Sequence, residues 1–140
     1  MNGKTKKQLD KVRKMGEQRD IAGLLDNLKD ERDIIRLEAV QCLYRICDEG
    51  TVDSMINMLK DSNSMIREYA LLTLINIGGE DVIGALISAL DDTSDRIRDY
   101  AADALGEIGD ERALEPLEKL FSKGYNKIAR EAYLKIKYDN

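Results

Sequence analysis

The chain has 140 residues, room for one domain of ordinary size with a real core. Hydrophobic residues are 43% and charged residues 35%, the balance of a folded, soluble chain rather than a disordered one. It has no His, which excludes Ser-His-Asp and Cys-His catalysis and every His-dependent metal site, and its net charge is −5.

The elements repeat with a step of 31 residues. Ile35, Ile66, Ile97 and Ile128 form one column. Ala39, Ala70, Ala101 and Ala132 form a second, and Leu43, Leu74, Leu105 and Ile136 a third. Leu28, Leu59, Leu90 and Phe121 keep the same step, as do Ile21, Val52, Ile83 and Leu114. Five columns in register over four copies define repeats at 17–47, 48–78, 79–109 and 110–140. Stepping back from Leu43 and Ile46 lands on Val12 and Met15, so residues 1–16 read as the second half of a decayed repeat, a terminal cap.

Each repeat is expected to be two helices. In the third copy the first spans about 82–90, with Ile83, Leu86, Ile87 and Leu90 on one face. The second spans about 95–108, with Ile97, Ala101, Leu105 and Ile108 as its buried stripe. Asn63 and Ser94 are N-cap candidates for second helices. Gly16, Gly78 and Gly109 follow second helices at equivalent positions, where a left-handed residue ends the helix; the first repeat has Cys47 there. Short connections make consecutive helices antiparallel neighbours. The count is nine helices in a single domain, an all-α stack of hairpins that buries one continuous core: an α-solenoid.

Charge is segregated along this array. Residues 1–19 carry +5, residues 20–120 carry −13 and residues 121–140 carry +3. The acidic body repels a phosphate backbone, and the basic ends read as solvated caps, so no specific nucleic-acid partner is expected. If Cys42 and Cys47 share a helix, their separation of five residues turns them about 140° apart, so they cannot bridge. No apolar signal segment follows Met1, and no apolar stretch is long enough for a membrane span. A cytoplasmic protein is expected, with no membrane association.

The stretch Ile97-Arg98-Asp99-Tyr100-Ala101-Ala102-Asp103-Ala104-Leu105-Gly106-Glu107-Ile108-Gly109-Asp110-Glu111-Arg112-Ala113-Leu114-Glu115-Pro116-Leu117 resembles the short HEAT-like repeat named after the phycobilisome (bilin) lyases. HEAT-type repeats carry an Asp in the turn between helices and a Val/Ile-Arg pair opening the second helix. The resemblance assigns these roles to Asp30 with Arg36, Asp61 with Arg67, and Asp92 with Arg98, a ladder tying neighbouring turns together by charge-assisted hydrogen bonds. The last copy has Lys123 and Ala129 instead. Ladder members recur three times, where a catalytic pair is needed once.

No residue carries a catalytic, cofactor or metal signature. There is no complete phosphate loop, and Asp91-Asp92-Thr93-Ser94-Asp95 lacks the Gly and the terminal Glu of an EF-hand loop. A non-catalytic scaffold or adaptor for a protein partner is the expected function. Among relatives of the fold, the deoxyhypusine-modifying hydroxylase needs His, which this chain lacks. HEAT-like alkylpurine DNA glycosylases use basic, aromatic grooves, a remote alternative here. Bilin (tetrapyrrole) lyase-like or chaperone-like activity is the nearer alternative.

In HEAT-type solenoids, by resemblance, second helices line the inner, concave surface. At 100° per residue, the side of the second helix opposite its core stripe carries Leu37, Val40, Gln41, Tyr44 and Arg45 in the first repeat. In the second repeat it carries Glu68, Leu71, Leu72, Ile75 and Asn76. In the third it carries Asp99, Ala102, Asp103, Gly106 and Glu107. The expected partner site is Leu37, Gln41, Tyr44, Glu68, Leu72, Ile75 and Asn76, an apolar patch that also suits a homodimer; Val40 and Leu71 are expected to pack between adjacent second helices.

Overall fold

The computed structural model describes residues 1–124 and 126–139. Nine α-helices are present among them: α1 (Gly3–Glu17), α2 (Ile21–Asn27), α3 (Asp33–Ile46), α4 (Val52–Met58), α5 (Ser64–Ile77), α6 (Glu80–Ala89), α7 (Asp95–Ile108), α8 (Leu114–Ser122) and α9 (Lys127–Asp139). The described residues include no strand. Short 3-10 turns, Glu49–Thr51 and Glu111–Ala113, lead into α4 and α8.

The chain forms two compact units, Met1–Ile77 and Gly78–Asn140. In the first, α1 packs on α3 and α3 on α5, making a layer of second helices; α2 lies against α1 and α3, and α4 against α5. The core is built from the repeat columns: Val12, Ile35, Ala39, Leu43, Ile66, Ala70 and Leu74 are all fully buried. In the second unit α6 packs on α7, α7 on α9, and α8 on α9. Ile97, Ala101 and Leu105 are buried there against the same pattern in α9, Ala132 and Ile136.

Local chemistry sets the helix ends. The side chain of Asn63 accepts hydrogen bonds from the amides of Met65 (2.9 Å) and Ile66 (3.3 Å) at the start of α5. Ser94 accepts from the amide of Ile97 (3.4 Å) in α7. Asn126 does the same for α9 through the amide of Ala129 (2.9 Å). Each satisfies a donor that the first helical turn leaves without a partner. Gly78 (φ 71°) and Gly109 (φ 77°) take the left-handed conformation after α5 and α7. Cys47 takes it after α3 (φ 54°), so the stop geometry survives the loss of glycine.

Two expectations need correction. Gly16 does not end α1, which runs to Glu17; the left-handed residue is Arg19 (φ 55°). The absence of a side chain at Gly16 serves packing instead, since a Cβ there would lie 2.6 Å from Cys42 Sγ. Ile108, assigned to the buried stripe, is 47% exposed. It is the last residue of α7, so its direction fits the stripe but the helix stops before burial is complete.

Candidate protein-interaction surface

The ladder positions form turns with a common plan. Asp30 Oδ1 accepts from the amide of Arg32, Asp61 Oδ1 from that of Asn63, and Asp92 Oδ1 from that of Ser94, each at 2.9 Å. The arginine six residues after each Asp donates from Nη1 back to that turn: Arg36 to Asp30 O (3.0 Å), Arg67 to Asp61 O (2.9 Å), Arg98 to Asp92 O (2.7 Å). Arg36 also crosses to the next repeat, donating from Nε to Asp61 Oδ2 (2.9 Å) and from Nη2 to Asp61 Oδ1 (3.2 Å). Arg98 Nη2 pairs with Asp95.

Asp30 differs from the expected pairing. Its carboxylate takes the guanidinium of Arg32, with Nε to Oδ1 at 2.9 Å and Nη2 to Oδ2 at 2.8 Å. The same tripeptide, Asp-Glu-Arg, recurs at 110–112 and closes in the same way, with Arg112 Nε to Asp110 Oδ1 at 3.0 Å and Nη2 to Oδ2 at 2.7 Å. Each arginine holds the neighbouring aspartate well below the usual carboxylate range, at about 2. These groups are fixed anions locked to their cations, a poor basis for acid–base chemistry.

The cysteines are equally quiet. Cys42 is buried, burial pushes its thiol up, and both cysteines are free. Among the described residues, no group of three or more acidic, Cys or His side chains is arranged to hold a metal ion. No helix among them is long and apolar enough to cross a membrane.

The outward side of the first unit's second helices is a set of parallel ridges. On α1 the ridge is Lys6, Asp10 and Lys14; on α3 it is Ile34, Leu37, Gln41 and Arg45; on α5 it is Met65, Glu68, Leu72 and Asn76. Successive ridges step by one repeat. Leu37, Gln41, Tyr44, Glu68, Leu72 and Ile75 are half-buried and Asn76 is exposed. Val40 and Leu71 are fully buried and add nothing to the surface. Tyr44 meets Tyr69 of α5 edge-on, with ring centroids 5.5 Å apart, which fills the furrow between α3 and α5.

Two residues absent from the sequence reading complete the apolar strip. Beyond Met1, the large apolar side chains exposed in the first unit, among the described residues, are Ile34 (38%) and Met65 (49%). They stand one repeat apart at the second position of α3 and α5. Their 31-residue spacing was the available signal, hidden because both adjoin a core isoleucine. The second unit has no counterpart on α7, where the equivalent positions are Arg96, Asp99, Asp103 and Glu107. Ala102 and Gly106 of that helix are buried, and a Cβ on Gly106 would lie 3.0 Å from Ala132.

Comparison with known proteins agrees with this architecture. The HEAT repeats family matches residues 21–102 and 67–135. The chain is similar to a crystal structure of an engineered protein from the Northeast Structural Genomics Consortium, with a TM-score of 0.64 and 22% identity over 92% of this chain and 67% of that one. No curated protein matches the chain. Paired helices in 31-residue register define an all-α protein of the α-solenoid class. The chain belongs to the HEAT repeat family.

Proposed function

We propose that this protein is a non-catalytic scaffold that binds a protein partner on the outward face of α3 and α5. One observation carries the reading: Ile34 and Met65, the exposed apolar side chains of those helices, lie one repeat apart on the same face as Leu37 and Leu72. Two neighbouring ridges that each carry two apolar side chains give a partner a shared apolar patch, whereas a single exposed apolar residue is ordinary. HEAT repeats as a class serve protein interaction, and second helices line their inner surface.

The test is the double variant Met65→Asp with Leu72→Asp, compared with wild type in co-purification from the native source and in sedimentation. Loss of a reproducible protein partner, with the thermal melt retained, supports the reading. Conversion of a wild-type dimer to a monomer makes the occupant a second copy of this chain. A variant equal to wild type in stability, partner and oligomeric state removes this face as the site. A wild-type protein that purifies coloured, with bound tetrapyrrole, would replace the scaffold by the bilin-handling role of the lyase-type repeat.

A further inference from the structure

We propose that the segment received on the α3–α5 face is an amphipathic peptide whose apolar side chains are flanked by carboxylates. The inference rests on the interaction face proposed above and adds the chemistry of its partner. The apolar centre is formed by Leu37 and Leu72 with Ile34 and Met65. The neighbouring ridge on α1 places Lys6 one repeat before Leu37 and Lys14 one repeat before Arg45, and all three cations are exposed.

The face also carries two carboxylates, Asp10 on the α1 ridge and Glu68 on the α5 ridge, against these three cations. Asp10 and Glu38 both turn to Arg13, at 3.8 and 3.2 Å. Among the described residues neither Lys6, Lys14 nor Arg45 forms an ion pair; Arg45 Nη2 reaches Cys42 Sγ at 3.4 Å. Lys14 and Arg45 lie in the last turns of α1 and α3, where the helix dipole favours a cation. Their charge remains open to a ligand. At the positions of α7 equivalent to these cations, Asp99 and Glu107 have the opposite sign, so the preference for anions belongs to the first unit.

A lipid surface is the other anionic amphiphile. Interfacial insertion draws on protruding Trp, Phe and Leu. The chain has no Trp and one Phe, Phe121, which lies on α8; on the face Ile34 and Met65 are 38% and 49% exposed, while Leu37 and Leu72 are half-buried. A peptide matches that relief better.

The probe is a displayed library of random peptides about 16 residues long, a helix of roughly 24 Å. It is selected on the full chain and counter-selected on Leu72→Asp, with Met65→Asp used if Leu72→Asp melts early. The expected pool carries apolar residues at helical spacing and an excess of Asp and Glu over Lys and Arg. Its best member weakens roughly tenfold at low salt against Lys6→Glu/Lys14→Glu/Arg45→Glu. A Leu72-dependent pool that is basic or without charge bias overturns the inference and leaves the interaction face standing. The absence of any Leu72-dependent pool sinks both. Sedimentation with phosphatidylserine vesicles that Leu72→Asp abolishes would assign the face to lipid and overturn the peptide.

Discussion

Arg36 shows how one side chain joins two repeats. Its guanidinium donates to two carbonyls of its own turn, Asp30 O and Glu31 O, and to both oxygens of Asp61 in the next. The ion-paired groups are 14% and 9% exposed, so the pair is more sheltered than a surface salt bridge. Removing the arginine leaves the Asp61 carboxylate partly buried and short of its bidentate donor. Arg36→Ala is expected to cost about 2–4 kcal/mol in urea unfolding, and Arg36→Lys to recover little, because an ammonium cannot span the fork. The Asp30–Arg32 pair makes a pH prediction. The folded carboxyl titrates near 2, below the roughly 3.9 of an unfolded chain. A depressed folded value means the stabilisation is complete above about pH 4 and is lost as pH falls toward 2. Asp30→Asn should therefore melt lower than wild type at pH 6 and show a shallower decline between pH 4 and 2.

At the scale of the helix, close approach governs the α1–α3 contact. Gly16 sits against Cys42, and any Cβ there must displace a sulfur that is 1% exposed. Helix propensity alone favours Ala over Gly by about 1 kcal/mol. Overpacking at a buried contact costs about 1–3 kcal/mol and outweighs it. Gly16→Ala should destabilise by about 1 kcal/mol, and Cys42→Ala should turn the same substitution neutral or favourable, a coupling that a double-mutant cycle reads directly. The 31-residue columns announced which helix sides face inward, because burial of one stripe imposes its period on the sequence. Asn63 and Ser94 announced helix starts, because few side chains accept a hydrogen bond from the first turn. The end of α1, the exposure of Ile108 and the role of Gly16 were not legible. They depend on where a helix stops against its neighbour and how near two axes come, and a period records neither. The partner of the Asp30 carboxylate was not legible for a related reason: Arg32 takes it from two residues away, whereas the repeat pattern points to Arg36, which bonds the Asp30 carbonyl instead. On the candidate face, Leu37, Tyr44, Leu72 and Ile75 were legible as opposite the stripe. Ile34 and Met65 were not, since flanking Ile35 and Ile66 made them look like ends of the core columns.

Charge is distributed at the scale of the whole chain. The first unit carries equal numbers of acidic and basic residues, and the second unit carries the entire net charge of −5. A polyanion is therefore offered the exposed lysines of α1, Lys4, Lys6, Lys7 and Lys11, and is repelled by the acidic excess of residues 78–140. Four phosphate contacts give a log–log salt slope no steeper than about −3.6. That is too shallow for tight binding, and α1 carries no aromatic side chain beside the lysines on which a base could stack. Fluorescence anisotropy with a labelled duplex should show weak association at low salt and none by about 0.15 M, where screening acts within roughly 8 Å. Neutralising Lys4, Lys6, Lys7 and Lys11 to Gln should abolish even the low-salt signal while leaving the melt unchanged. Sub-micromolar binding at physiological salt, or a sequence preference that survives those substitutions, would place nucleic acid ahead of a protein partner.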